Sequence, residues 1–126
     1  MKRRAAGEHQ AVEVVDIFDL HSELCKTLAN PKRLRILALL ARKEMSVGEL
    51  AEVLAVPLSN VSQHLTVLRA QHVVLYRKDG RTALYRLADR RFIEACSLIR
   101  ASLLDRMKSR GQVAHATDPR YVVTIP

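Results

Sequence analysis

The stretch from Leu58 to Arg86, LSNVSQHLTVLRAQHVVLYRKDGRTALYR, decides the fold because its hydrophobic period changes partway along. Apolar residues first recur at helical spacing, which predicts a helix over residues 58–70. The inner side of that helix is expected to hold Leu58, Val61, Leu65 and Leu68. Residues 73–78 and 81–86 then read as β-strands separated by Asp79-Gly80, a dipeptide typical of a type I′ turn. The stretch therefore predicts a helix followed by a β-hairpin.

Four more helices are predicted around this stretch. Apolar side chains at helical spacing place them over residues 11–28, 31–42, 47–54 and 89–108. Asn30 before Pro31 favours a helix start, and Ser46 with Glu49 forms a capping box at the next one. The second helix is expected to bury a stripe of Leu34, Leu37, Ala38 and Ala41. The order ααααββα is a mainly α fold with a small β-hairpin wing (α+β), a winged helix-turn-helix.

The helix over residues 58–70 carries short polar side chains opposite its apolar stripe. Such groups donate and accept hydrogen bonds at base edges, and a helix about 10–12 Å across fits the major groove of DNA. The predicted base-contacting residues are Ser59, Asn60, Ser62 and Gln63. The hairpin is predicted to contact phosphates or the adjacent minor groove through Arg77, Lys78, Arg81 and Thr82. His64 lies nearer the apolar side and is expected to pack or hydrogen-bond.

The charge supports a polyanionic partner. The 126 residues include 21 Lys and Arg against 13 Asp and Glu, a formal net charge of +8. Residues 8–23 hold five acidic side chains and no Lys or Arg, whereas residues 69–91 hold seven Lys and Arg against two acidic side chains. The excess therefore collects around the hairpin. Double-stranded DNA is the expected partner, and the polar helix face argues against a nonspecific architectural DNA binder, a class that remains an alternative.

Several other classes are excluded or disfavoured. No apolar run reaches the ~18–20 residues of a membrane span, and two cysteines are too few for a disulfide framework, so we expect a cytoplasmic protein. An enzyme is not expected because no phosphate loop or catalytic set is present. A winged-helix module that binds only proteins is disfavoured by the basic wing. We expect a basic arm at residues 1–10, the DNA-binding and dimerisation domain at 11–108, and a tail at 109–126 in which residues 122–125 could form a strand.

Four segments, in this order and spacing, resemble the ArsR/SmtB family of dimeric repressors. They are LANPKRLRIL, EMSVGELAEVL, SNVSQHLTVLR and YRKDGRTALYRL, and the resemblance covers roughly residues 12–107. It implies a homodimer formed through the first and last helices, reading a palindromic operator that it leaves when an effector arrives. It also implies that Ser59, Ser62 and Gln63 occupy the family's base-contacting positions.

The best-known metal sites of that family are missing from this sequence. Its thiolate site, Glu-Leu-Cys-Val-Cys-Asp-Leu, reads here Glu44-Met-Ser-Val-Gly-Glu-Leu50, without either sulfur. Its zinc site on the last helix has become Asp89, Arg91, Ser102 and Asp105, without either imidazole. Arg cannot ligate a cation, and two carboxylates alone make a poor zinc site, so neither site can work as written.

Two cysteines and one histidine are the remaining sensor candidates. Cys25 and Cys96 lie on apolar seams of the first and last helices, and His21 precedes Cys25 by one helical turn. Three interpretations stay open: core filling, a thiol switch answering sulfide, persulfide or oxidant, and binding of a soft metal or arsenite by all three residues. No cofactor is certain. We predict a DNA-binding repressor released by an effector, with a thiol switch favoured if the cysteines sense at all.

Overall fold

The computed structural model describes residues 11–112 as five helices and a small antiparallel sheet. The elements are α1 (Ile17–Leu28), α2 (Pro31–Leu40), β1 (Met45–Ser46), α3 (Val47–Leu54), α4 (Leu58–Ala70), β2 (Val74–Asp79), β3 (Thr82–Leu87) and α5 (Arg90–Ser109). This arrangement confirms the mainly α fold with a hairpin wing. The predicted arm at residues 1–10, and the tail from residue 113 onward with its candidate strand, lie outside the described residues.

The helix starts follow from side-chain caps. Asn30 Oδ1 accepts hydrogen bonds from the N–H groups of Lys32 and Arg33 at 3.0 and 3.2 Å. Ser46 and Glu49 form the predicted capping box, which satisfies N–H groups that a helix start would leave without partners. Asp16 caps α1 by accepting from the N–H of Phe18, so α1 begins at Ile17 and not near residue 11.

The sheet differs from the prediction in two details. Its strand order is β1-β3-β2, and the two-residue strand β1 is too short to show any period in the sequence. Asp79 pairs with Thr82, so the hairpin loop is Gly80-Arg81, one residue later than expected. Of the two loop residues, Gly80 has a positive φ, of 65°, and Arg81 does not. A type I′ turn needs positive φ at both loop residues, so that prediction is wrong.

The core centres on α2. Its last five residues, Ile36 to Leu40, are all buried, whereas Leu34 and Ala41 of the predicted stripe are only partly buried. Residues of β1, α3, α4, β2 and α5, with Val73 before β2, contribute the rest of the cluster. In α4, Val61, Leu65 and Leu68 are buried as predicted. Leu58 is instead 57% exposed. It is the first residue of α4, and because helical side chains tilt toward the N-terminus, its side chain projects beyond the helix end.

Replacing Leu65 by Ala should lower the free energy of unfolding by about 2–5 kcal/mol, because it leaves a cavity beside α2. The matched change Leu58→Ala on the same helix should cost less than about 1 kcal/mol, since that side chain is already largely hydrated. Urea unfolding of both variants measures the difference. Equal losses would show that Leu58 belongs to the core.

Candidate nucleic-acid interface

The outer face of α4 is polar and open. Ser59, Ser62 and Gln63 are exposed, opposite the buried side chains that fix the helix to the core. Thr66 is also exposed, and its hydroxyl donates to the carbonyl oxygen of Ser62 at 2.9 Å. A helix held on one side and offering amide and hydroxyl groups on the other matches the needs of major-groove readout.

Asn60 stands apart from the other three predicted base-contacting residues. Its side-chain oxygen Oδ1 is buried, and no hydrogen-bond donor among residues 11–112 reaches it. Asn60 is only partly exposed, whereas Ser59, Ser62 and Gln63 are exposed. The structure therefore gathers three of the four predicted residues on the open face and turns the carbonyl group of the fourth inward.

His64 belongs to a polar link between three helices. Arg33 of α2 donates from Nε to His64 Nδ1 at 3.2 Å and from Nη1 to the carbonyl oxygen of Thr27 in α1 at 3.1 Å. The pKa of His64 is lowered by burial and by the positive charges of Arg33 and Lys32. A neutral imidazole can accept at Nδ1, so the lowered pKa preserves the link. The expected packing or hydrogen-bonding role of His64 is confirmed.

The wing places its four predicted contact residues in different environments. Lys78, Arg81 and Thr82 are exposed, and among residues 11–112 neither cation pairs with a carboxylate. Arg77 instead forms a bidentate ion pair with Glu44, with Nη2 3.0 Å from Oε1 and Nε 3.1 Å from Oε2. This pair lowers the pKa of Glu44 and raises that of Arg77, chiefly through the hydrogen bonds. The cations of the wing without an ion pair are therefore Lys78 and Arg81 at its tip and Arg86 further along β3, as far as residues 11–112 show.

An aromatic pair connects the wing to α4. The guanidinium of Arg69, in the last turn of α4, lies 4.0 Å from the ring centroid of Tyr76 in β2. Tyr76 in turn stacks on Tyr85 of β3, with centroids 5.5 Å apart. The Arg69–Tyr76 contact joins the last turn of α4 to β2, and the Tyr76–Tyr85 stack lies within the hairpin. These contacts could not be predicted from the sequence because only the folded sheet brings Tyr85 beside Tyr76.

The two cysteines line one cavity but differ in environment. Cys25 of α1 is exposed and Cys96 of α5 is buried, and both are free thiols. Burial raises the pKa of Cys96, an effect that Arg100 partly opposes. His21 is exposed on α1, and within residues 11–112 no three His, Cys, Asp or Glu side chains are grouped so that they could hold a metal ion. A single protomer therefore does not assemble His21, Cys25 and Cys96 into a metal site.

Asp89, at the family's lost zinc position, has a structural role. Its carboxylate accepts from the N–H of Arg91 at the start of α5 and pairs with the Arg91 guanidinium at 2.7 Å. Both interactions lower the pKa of Asp89.

In the part of the chain that the structure describes, no helix combines the length and apolar character needed to span a membrane.

Comparison with known proteins agrees with this arrangement. A family model for a helix-turn-helix domain matches residues 28–76. Rv0081 of Mycobacterium tuberculosis, an HTH-type transcriptional regulator, is 38% identical over 103 residues, covering 81% of this chain and 90% of that protein. The HTH-type transcriptional repressor SmtB of the same species is 45% identical over 74 residues, covering 59% of this chain and 55% of that protein.

Solved structures of other transcriptional regulators have a similar fold. The crystal structure of Rv0081 has a TM-score of 0.68 at 38% identity and covers 77% of this chain and 98% of that one. The solution structure of Mb0332 from Mycobacterium bovis, a homodimeric winged helix-turn-helix DNA-binding domain of a possible ArsR-family regulator, has a TM-score of 0.64 at 27% identity and covers 79% of this chain and 90% of that one.

The fold and these relatives define a winged helix-turn-helix transcriptional regulator rather than an enzyme. The chain belongs to the ArsR/SmtB family, which confirms the resemblance found in its sequence.

Acidification should destabilise the protein through His64. Its pKa in the folded state lies below the ordinary value of 6.5, so the unfolded chain binds the proton more readily, and the stability contributed by neutral His64 is lost as the pH falls below that value. His64→Asn places an amide oxygen where Nδ1 lies, and the Asn side chain does not titrate. From about pH 7.5 to about pH 5.5 the free energy of unfolding in urea should fall less for the variant than for the parent protein. The matched control is Gln63→Asn, an exposed change on the same helix that removes no titratable group, and it should keep the pH dependence of the parent protein. An equal pH dependence of parent and H64N would contradict this assignment.

Proposed function

We propose that the protein is a sequence-specific transcriptional repressor that binds double-stranded DNA as a homodimer. The observation that carries the proposal is the two-sided character of α4, with Val61, Leu65 and Leu68 buried and Ser59, Ser62 and Gln63 exposed on the other side. In this role α4 enters the major groove, and the three polar side chains contact base edges. A nonspecific architectural binder does not need such a face, because it contacts the DNA backbone and not the base edges.

The wing supplies affinity without sequence information. Lys78 and Arg81 at the hairpin tip face solvent beside Thr82, in position to contact phosphates or the adjacent minor groove. Arg77 donates from Nε and Nη2 to the carboxylate of Glu44. Its main role is therefore to anchor the wing to the chain before β1 rather than to contact DNA. Cations at the tip also attract DNA over distance, an effect that salt screens.

Dimerisation is supported by apolar side chains left uncovered on α1 and α5. Phe18 is 75% and Leu20 49% exposed on α1, and Ile99 is 62% and Leu103 41% exposed on α5. An apolar surface of this kind on one protomer is typical of an interface, and Mb0332 is described as homodimeric. A two-fold dimer presents two α4 helices, so the operator is expected to be palindromic.

We place regulation of DNA binding at the cavity between α1, α2 and α5 that both thiols line. Cys25 is accessible and Cys96 lines the same cavity, which supports a thiol switch. Joining the two thiols as a disulfide releases two protons and passes two electrons to an oxidant such as a polysulfide or diamide. Soft-metal or arsenite sensing through His21, Cys25 and Cys96 is less well supported, because the protomer does not group these ligands.

Replacing Gln63 by Ala should weaken binding to a duplex selected from random sequence by about 1–3 kcal/mol and relax its specificity, because a base contact is lost. Arg81→Ala should weaken selected and scrambled duplexes alike and reduce the salt slope by about 1, because a phosphate contact is lost. Fluorescence anisotropy over a range of salt concentrations separates the two effects. Identical behaviour of the two variants, or equal affinity of the parent protein for both duplexes, would contradict sequence-specific readout through α4.

If the thiols switch the repressor, diamide or polysulfide should lower the affinity of the parent protein for its selected duplex. Cys25→Ser and Cys96→Ser should each retain full affinity after the same treatment, since either change removes one partner of the bond. Anisotropy gives the affinities, and mass spectrometry of the treated parent identifies the bond formed. Equal affinity before and after complete oxidation of the parent protein would eliminate the switch.

A further inference from the structure

The side chain of Arg33 lies where three helices meet. Arg33 is in the first turn of α2, where its N–H donates to Asn30 Oδ1 at 3.2 Å. Its guanidinium donates from Nη1 to the carbonyl oxygen of Thr27 in α1, at 3.1 Å, and from Nε to Nδ1 of His64 in α4, at 3.2 Å. Because a guanidinium is planar and rigid, the groups that it bonds are held at a set separation. One side chain therefore joins α2 to both α1 and α4.

The bond between Arg33 and Thr27 attaches to the part of α1 that the core holds most firmly. Of the twelve residues of α1, all of which the structure describes, Thr27 alone is buried. Its hydroxyl donates to the carbonyl oxygen of Glu23 at 3.2 Å, which adds a bond inside the last turn. A cation at the C-terminal end of a helix is also stabilised by the helix dipole. The α1 end of the link is therefore a fixed reference for the α4 end.

The bond to His64 concerns the rotation of α4 about its own axis. The buried side chains of α4 press the helix against the core, but apolar contacts are not directional and permit small rotations. In a helix about 10–12 Å across, a rotation of about 10° moves an atom at the rim by about 1 Å. A hydrogen bond to a base edge does not survive such a shift, because its donor and acceptor must lie about 2.7–3.2 Å apart. His64 directly follows Gln63, so the bond that holds His64 also restrains Gln63.

We propose that Arg33 is a positioning residue for DNA readout, and this inference rests on the proposed function. Arg33 contacts no base in this role. By holding His64 against the last turn of α1, it keeps Gln63 and Ser62 at the angle at which they meet base edges. Loss of the link leaves α4 attached to the core by its apolar side and able to rotate by the few degrees that base readout does not tolerate.

Two simpler roles of Arg33 predict a different result. If Arg33 only stabilised the fold, its loss would lower the folded fraction and weaken binding to every duplex by the same factor. If its charge only attracted DNA, selected and scrambled duplexes would again be affected alike. A positioning role instead changes the ratio of the affinities for the selected and the scrambled duplex. That ratio is the quantity to measure.

Replacing Arg33 by Met keeps the length of the side chain and removes its donors. The affinity ratio should fall by at least about fivefold, the factor lost with a base contact of the weaker kind. The matched control is Arg35→Met, which removes the same charge from another partly buried position of α2 and should keep the ratio of the parent protein. Fluorescence anisotropy gives both affinities, at a temperature where circular dichroism shows each variant folded.

Variants of His64 test the same link from its α4 end and do not depend on the folding of R33M. His64→Leu removes the acceptor but leaves the bonds of Arg33 to α1 and α2, and it should lower the ratio by a similar factor. His64→Asn keeps an acceptor and should keep the ratio. The double variant R33M/H64L should lose no more than either single variant, because both changes break one link.

Three outcomes would overturn the positioning role and leave the proposed function standing. They are an unchanged ratio in R33M or H64L, losses that multiply in the double variant, and an equal fall of the ratio in R35M and R33M. Equal affinity of the parent protein for the two duplexes would instead overturn the proposed function, and the positioning role with it.

Discussion

The structure depends on one helix, α2, whose second half is buried on every side. In α2 the five consecutive residues Ile36 to Leu40 are all inaccessible, which no amphipathic surface helix could show. The other elements of the core pack around α2, with Leu50 of α3, Leu65 of α4 and Ile93 of α5 among its fully buried partners. Burying so many large aliphatic side chains supplies the main stabilisation of a domain this small, and it fixes where α4 can lie.

The position of α4 is then refined at several points by polar and aromatic contacts. His64, near the middle of the helix, is joined through Arg33 to α1, while Arg69 in the last turn rests on Tyr76 of the wing. Side chains that read base edges must be placed to within a fraction of an ångström, and such support limits the sliding and rotation that apolar packing alone allows. The same link through Arg33 connects α4 to α1, the helix on which dimerisation and Cys25 are placed by the proposed function. A change at α1 therefore has a physical route to α4.

What could be predicted from the sequence was local. Helical period and caps act within four residues of one another, so Asn30, the Ser46–Glu49 box and the bounds of α4 were all predicted correctly. The wrong predictions concern the burial and pairing of residues, which depend on segments far away in the chain. The exposure of Leu58 depends on where its neighbours end, and strand β1 exists only because β3 pairs with it. The same limit applies to the site, since sequence could assign the polar face of α4 but not the inward carbonyl of Asn60.

The basic cluster shows most clearly why composition alone misassigns function. All seven basic residues between positions 69 and 91 count equally toward the net charge. Four of them serve the fold: Arg69 lies on Tyr76, Arg77 pairs with Glu44, Arg90 donates to the carbonyl oxygen of Ala41 at 3.0 Å, and Arg91 pairs with Asp89. Guanidinium groups suit these roles because they are planar, offer several N–H donors at once and can also stack on an aromatic ring. Of the three that remain, Lys78 and Arg81 lie exposed at the tip of the wing, and Arg86 lies exposed on β3, where its charge also acts on Glu44. The charge left for a polyanion is therefore on the wing, beside the polar face of α4. Attraction to DNA and discrimination among DNA sequences are thus assigned to different parts of the surface, and each can change without the other.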